Sequence, residues 1–171
     1  MSILTVKERR GRFTKAARGA AFAVAIAGLV AVVGATPAQA SSFGGNGDPS
    51  GCANPINVAT APIYGSRGYL AGKKIGELQL RWSWSCYGNW SRVVMYGGMY
   101  SSPVTVEQIV ESEGRRAGST DFGVRTGTAG TTAWSPYLRL ANSQSRACVQ
   151  VWLSSDFGTL NFHTNGARVC A

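Results

Sequence analysis

The stretch Glu77-Leu78-Gln79-Leu80-Arg81-Trp82-Ser83-Trp84-Ser85-Cys86 alternates polar and apolar residues without a break. Successive side chains of a strand point to opposite faces. The pattern therefore builds a half-buried strand, with Leu78, Leu80, Trp82, Trp84 and Cys86 on the apolar face. Downstream, Gly88-Asn89 reads as a tight turn, Trp90 to Tyr96 as a returning strand, and Gly97-Gly98 as the next reversal. Val104, Val106 and Val110 alternate with Thr105, Glu107 and Glu111, which suggests a third strand. Glu107, Glu111 and Glu113 are better helix formers, so 104–113 reads as strand or short helix. The glycine- and threonine-rich run from Gly114 to Gly130 reads as loop.

Thr131 to Leu140 reads as a strand broken at Pro136. Arg146 to Leu153 alternates again, with Ala147, Val149, Val151 and Leu153 on one face. Asp156-Phe157-Gly158 turns it, Thr159 to Thr164 returns, and Asn165-Gly166 is a hairpin signal before Ala167 to Cys170. The expected class is all-β, as a small sandwich or a partly closed barrel.

The N-terminus addresses location. Lys7, Arg9, Arg10, Arg12, Lys15 and Arg18 form a basic leader, and an uncharged run follows from Gly19 to Gly34. That run falls short of the about 20 residues needed to span a bilayer. Ala38-Gln39-Ala40 is a small-x-small site of the kind signal peptidase cuts. Residues 1–40 are read as a cleaved signal peptide, 41–51 as a flexible tether and 52–171 as the β-domain. The reading makes the protein secreted, in contact with the membrane only through the signal before cleavage.

Removing the signal changes the charge argument. Six of the 17 basic residues and one of the eight acidic residues precede residue 41, so the mature chain keeps 11 basic and seven acidic groups, net +4 rather than +9. The full-chain pI of 9.9 thus overstates any case for nucleic acid, and none is expected as a partner. A mild positive charge suits an anionic cell-wall polymer. All four cysteines, Cys52, Cys86, Cys148 and Cys170, follow the cleavage site. In an oxidising compartment they read as two disulfides. Of three connectivities, Cys52–Cys86 with Cys148–Cys170 is preferred, because it fastens the start of the domain to its central strand. A flat meander over 146–170 would put Cys148 and Cys170 two strand spacings apart, beyond disulfide reach. The pairing therefore requires the last strand to leave that meander, or the sheet to curl.

Catalysis finds little in the sequence. His163 is the single histidine, on the polar face of an alternating segment, and no Gly-x-Ser-x-Gly elbow is present. A glycosidase needs two carboxylates across a cleft. Asp48 falls in the tether and Asp156 in a turn, while Glu107, Glu111 and Glu113 share a solvated face. Glu77 and Asp121 remain, unpaired. No catalytic residue, cofactor or metal site is assigned. The aromatic residues suggest contact instead. Trp82 and Trp84 belong with the core leucines. Trp152, pointing away from Val149 and Val151, is the leading exposed candidate for binding, and Trp90 and Tyr87, near Trp82 and Trp84, are the further candidates.

Three stretches carry a family likeness: Gly47-Asp48-Pro49-Ser50-Gly51-Cys52; Leu80-Arg81-Trp82-Ser83-Trp84-Ser85-Cys86 followed by Trp90-Ser91-Arg92; and Ser135-Pro136-Tyr137-Leu138 leading to Arg146-Ala147-Cys148-Val149. Together they resemble an actinobacterial secreted family catalogued as a domain of unknown function (number 2690). Trp82 stands where that family usually has Tyr, and the cysteines that commonly precede its Asp-Pro are absent. The resemblance implies an extracytoplasmic module and brings no activity with it. The expected function is a secreted, non-catalytic binding or cell-surface structural domain, with a secreted protein or an anionic cell-wall polymer as partner. The alternatives are a secreted enzyme inhibitor, presenting the 114–130 loop, and a secreted hydrolase. N-terminal sequencing of the protein from culture supernatant should read from Ser41; an intact Met1 chain in the membrane fraction would contradict the signal-peptide reading.

Overall fold

The computed structural model describes residues 41–100, 102–155 and 167–171. Among these residues ten strands run β1 (Ser41–Phe43), β2 (Ile56–Tyr64), β3 (Lys74–Ser83), β4 (Gly88–Met95), β5 (Val104–Ser112), β6 (Arg115–Val124), β7 (Thr131–Trp134), β8 (Leu138–Arg139), β9 (Ala147–Ser155) and β10 (Arg168–Cys170). They form two antiparallel sheets, ordered β1-β6-β5-β9-β10 and β2-β3-β4-β7, with β8 also pairing with β4. The sheets share no strand, so the molecule is a sandwich and not a closed barrel. Among the described residues, no helix is long and apolar enough to cross a membrane.

The alternation of residues 77–86 places the core. In the β3–β4 pair, Leu80 lies opposite Ser91 and Leu78 opposite Val93. Directly opposed residues share a face, so this row points inward. Val106, Gln108 and Val110 of β5 oppose Leu153, Val151 and Val149 of β9, and that row meets the first across the sandwich. Leu78, Leu80, Val93, Val106, Val149 and Val151 have no exposed surface. Each such side chain stabilises by about 1.5–3 kcal/mol. The 104–112 segment is a strand: its valines need the two-residue period to reach this core.

Four expectations are corrected. The β3–β4 reversal occupies 84–87 rather than Gly88-Asn89. Tyr87 takes the left-handed conformation (φ 52°), while Gly88 belongs to β4 and is too close to the Leu138 carbonyl to carry a side chain. Because β3 stops at Ser83, Trp84 leaves the apolar row and stands 63% exposed, edge-on to Trp82. Residues 115–124 are not loop but β6, entered through Glu113 (φ 54°) and Gly114 (φ 69°), a two-residue hairpin turn with both central residues left-handed. Glu113 is exposed, as the solvated-face reading has it, but its carboxylate is engaged. It accepts the Ala141 N–H at 3.0 Å and the Ser145 hydroxyl, and these two bonds hold its carboxyl below its usual range.

The fourth correction concerns the 41–51 segment, which is no flexible tether. Ser41, Ser42 and Phe43 pair with Thr120, Ser119 and Gly118 of β6. The chain then crosses to the other sheet. Gly44 (φ 65°), Gly45 (φ 81°) and Gly47 (φ 143°) adopt backbone that other residues resist, so these glycines shape the crossing rather than loosen it. Asn46 N–H donates to the Tyr137 carbonyl (2.8 Å), Tyr137 N–H to the Gly47 carbonyl (3.0 Å) and Arg139 N–H to Asn46 Oδ1 (2.7 Å).

Both expected disulfides are present. Cys52–Cys86 closes the crossing segment onto the end of β3, with Cα atoms 5.4 Å apart. Cys148–Cys170 joins directly opposed residues of β9 and β10, with Cα atoms 4.0 Å apart. It is flanked by the reciprocal Ala147–Ala171 hydrogen bonds, which makes it the close, non-hydrogen-bonded kind of antiparallel pair. The two-spacing objection falls because β10 lies against β9 itself. The expected return strand 159–164 and the Asn165-Gly166 turn lie outside the described residues. In urea unfolding, a Cys52→Ala/Cys86→Ala variant should lose about 3–4 kcal/mol of stability. Non-reducing peptide mapping should yield the Cys52–Cys86 and Cys148–Cys170 peptides, and a Cys52–Cys170 peptide would contradict the fold.

Candidate functional site

The crossing segment builds the site. It passes over the edge where β6 of one sheet faces β7 of the other, and a cleft of ≈450 Å³ lies there. Asp48 and Pro49 come from the crossing, Asp121 and Ser42 from the first sheet, Thr132 and Trp134 from β7. A second cleft of ≈300 Å³ adjoins on the outer face of the second sheet, lined by Ser50, Arg81, Trp90 and Arg92. Pro49 and Trp134 line both.

Trp134 is the common wall. It lies opposite Arg92 in the β4–β7 pair, on the outer face, and is 41% exposed. Its indole Nε1–H donates to Asp48 Oδ1 at 3.3 Å, which fixes the ring's orientation. Asp48 caps the 3-10 turn Pro49–Gly51, accepting the Ser50 N–H at 2.8 Å. That backbone bond, with help from Trp134, holds its carboxyl below the usual carboxylate range.

Asp121 experiences the opposite environment. It lies opposite Val106, on the inner face of its sheet, and burial pushes its pKa up although Ser119 Oγ donates to it at 3.2 Å. Polar groups continue inward from there. Gln108, fully buried, accepts from Ser91 Oγ at 2.9 Å and so joins the two sheets. The Ser91 N–H donates to Ser135 Oγ at 3.1 Å, just before the cleft residue Pro136.

The second cleft is basic. Arg81 and Arg92 point outward from neighbouring strands and share one acceptor, Gln79 Oε1, at 3.5 and 3.2 Å. Arg81 also donates to the Pro55 carbonyl at 2.9 Å. Burial, then the charge of Arg92, lowers the Arg81 pKa.

The sequence-derived candidates are scattered relative to these clefts. Trp90 borders the second cleft but is only 4% exposed, because Cys52, Cys86 and Tyr137 pack over it. Tyr87 is exposed, packs edge-on to Trp82 and Trp84, and lines neither cleft. Trp152 does lie on the outer face of its sheet, opposite Glu107, but it is half-buried and lines neither cleft. Glu77 is engaged by Lys74 at 3.6 Å and by Gln79 Nε2 at 2.9 Å. His163 and Asp156 lie outside the described residues. Asp121, left without a partner by sequence reasoning, shares its cleft with Asp48. Trp134 was missed; its one signal is its place on the polar side of a short strand before Pro136.

The arrangement offers a flat indole face, an ionised carboxylate, a carboxyl that keeps its proton to higher pH and, next door, two guanidinium groups. Compared with family models, curated proteins and solved structures, the chain matches none. The two aspartates predict a pH signature. A raised folded-state pKa at Asp121 means that the folded protein holds this proton where the unfolded chain has lost it. Its ionisation therefore lowers stability as pH climbs from about 4 through the raised value. Asp48 acts in reverse: its contribution is present above the ordinary carboxylate pKa and is lost as pH falls through its depressed value. In urea unfolding between pH 3.5 and 7, Asp121→Asn should gain stability relative to the parent as pH rises; a difference constant with pH would contradict the assignment.

Proposed function

We propose that this protein is a secreted, non-catalytic binding domain whose ligand is a cell-wall glycan seated in the cleft against Trp134. The observation that carries the reading is Trp134 itself, an exposed indole with its N–H tied to Asp48 and its ring bordering a cleft with two carboxyl groups. The apolar face of a sugar ring packs on such an indole. Sugar hydroxyls donate to carboxylate oxygens, and these charge-assisted bonds are the stronger ones. Fixing the indole in advance lowers the entropy lost on binding. The two disulfides agree with an oxidising compartment, which is coarser support for export. The inhibitor alternative has less to stand on, since most of its presenting loop is strand β6.

A glycoside hydrolase is the second reading. Asp48 and Asp121 line one cleft, and their environments push their pKa values apart, as an acid and its partner require. Calorimetric titration of the purified secreted protein with soluble cell-wall glycan fragments, run beside a reducing-end assay, separates the readings. Binding should weaken at least tenfold in Trp134→Ala, with no reducing ends released. Release that disappears in Asp121→Asn, with binding kept, would replace the binding reading by the hydrolase. Unchanged binding in Trp134→Ala would overturn the cleft assignment.

A further inference from the structure

We infer that the second cleft is an oxyanion subsite, in which Arg81 and Arg92 take a phosphate or carboxylate group carried by the polymer bound at Trp134. The inference rests on the glycan reading for the polymer, while the anion site stands on its own residues.

The two arginines occupy diagonal positions of the β3–β4 pair, Arg81 opposite Trp90 and Arg92 opposite Gln79. Among the described residues, the ion pairs join Lys74 to Glu77, Arg115 to Glu113 and Arg168 to Glu111. None involves this pair of arginines. Their shared protein acceptor is a neutral amide oxygen. That amide is aimed by Glu77, which accepts from Gln79 Nε2 and so turns Oε1 toward the guanidinium groups. Two like charges are thus held side by side, partly withdrawn from water, with no carboxylate between them. Such an arrangement is unfavourable until an anion joins it.

The surroundings suit an oxyanion. Arg81 Nε is enclosed and has no hydrogen-bond partner, so the protein leaves part of this guanidinium's donor capacity unused. The Arg81 guanidinium centre lies 6.0 Å from the Trp90 ring centroid, within range of a cation–π contact that steadies the planar group. A guanidinium presents parallel N–H donors that match the two oxygens of a phosphate or carboxylate. The cleft opens against Trp134, so a sugar on the indole places its substituent at the arginines. The carboxyl groups of Asp48 and Asp121 line the other cleft, which sorts neutral hydroxyls to one side of the ring and the anion to the other.

Direct binding tests this with the purified secreted protein and three probes: a poly(glycerol phosphate), an oligogalacturonate and the methyl-esterified, uncharged oligogalacturonate. At least one anionic probe should bind tenfold or more tightly than the uncharged one, and added salt should weaken its binding. Which anionic probe wins identifies phosphate or carboxylate as the group. Arg92→Gln should remove most of that preference and leave uncharged-probe binding within twofold. Arg81→Lys, which keeps the charge and loses the planar donors, should lose at least threefold for the anionic probe, with the unfolding midpoint unchanged. Equal affinity for all three probes, or an undiminished preference in Arg92→Gln, would overturn the subsite. Loss of anion binding in Arg92→Gln, with Trp134→Ala unaffected for every probe, would keep the anion site and sink the glycan cleft instead.

Discussion

Cys52 and Cys86 hold the segment that leaves the first sheet against the turn that ends β3 of the second. The open edge of a sandwich otherwise leaves two strand edges facing water. Here the chain crosses that edge under constraint from both ends, paired with β6 at Ser41–Phe43 and bonded covalently at Cys52. Between those anchors the backbone must turn sharply, and three glycines in left-handed conformations let it do so. Asp48 is carried to Trp134 as a consequence, and Trp90 is sealed beneath the disulfide for the same reason.

The interior carries a second constraint. Gln108 is fully buried in an otherwise apolar row, and its bond with Ser91 crosses from one sheet to the other. The bond satisfies the amide oxygen and so favours the register that brings Ser91 to it. The same inner face continues through Ser119 to Asp121 at the cleft. Asp121 is therefore core on one side and cleft on the other, and partial burial is what raises its pKa. The outer face of the second sheet has the reverse character. Its arginines share a neutral amide acceptor and make no ion pair among the described residues, although Arg81 is partly buried.

Period-two alternation made the strand class legible, because burial on one face imposes that period directly. Residues 77–86 show its reach, and Trp84 shows its limit. Alternation says which face a residue would take if the strand continued; the strand ends one residue earlier, at a turn whose Tyr87 accepts a conformation more often given to glycine or asparagine. The β6 segment was hidden for a related reason. Glu113-Gly114 is a two-residue hairpin turn without the usual Asn or Asp, and β6 lies half-covered with small and polar residues in place of aliphatic ones.

The sequence by itself determined the all-β class and the inward rows of β3 and β9; it left 104–113 open between strand and helix, and it preferred, among three connectivities, the disulfide pairing that the structure holds. Each follows from short-range regularities: a period of two, a turn, a cysteine near a strand's end. Only the tertiary structure decided the site. Asp48 and Trp134 stand 86 positions apart, and Asp48 and Asp121 come from segments with no shared pattern. What brings them together is the crossing of the open edge, a long-range closure that leaves no local periodicity. The glycines that permit it look, in sequence, the same as glycines that merely loosen a chain.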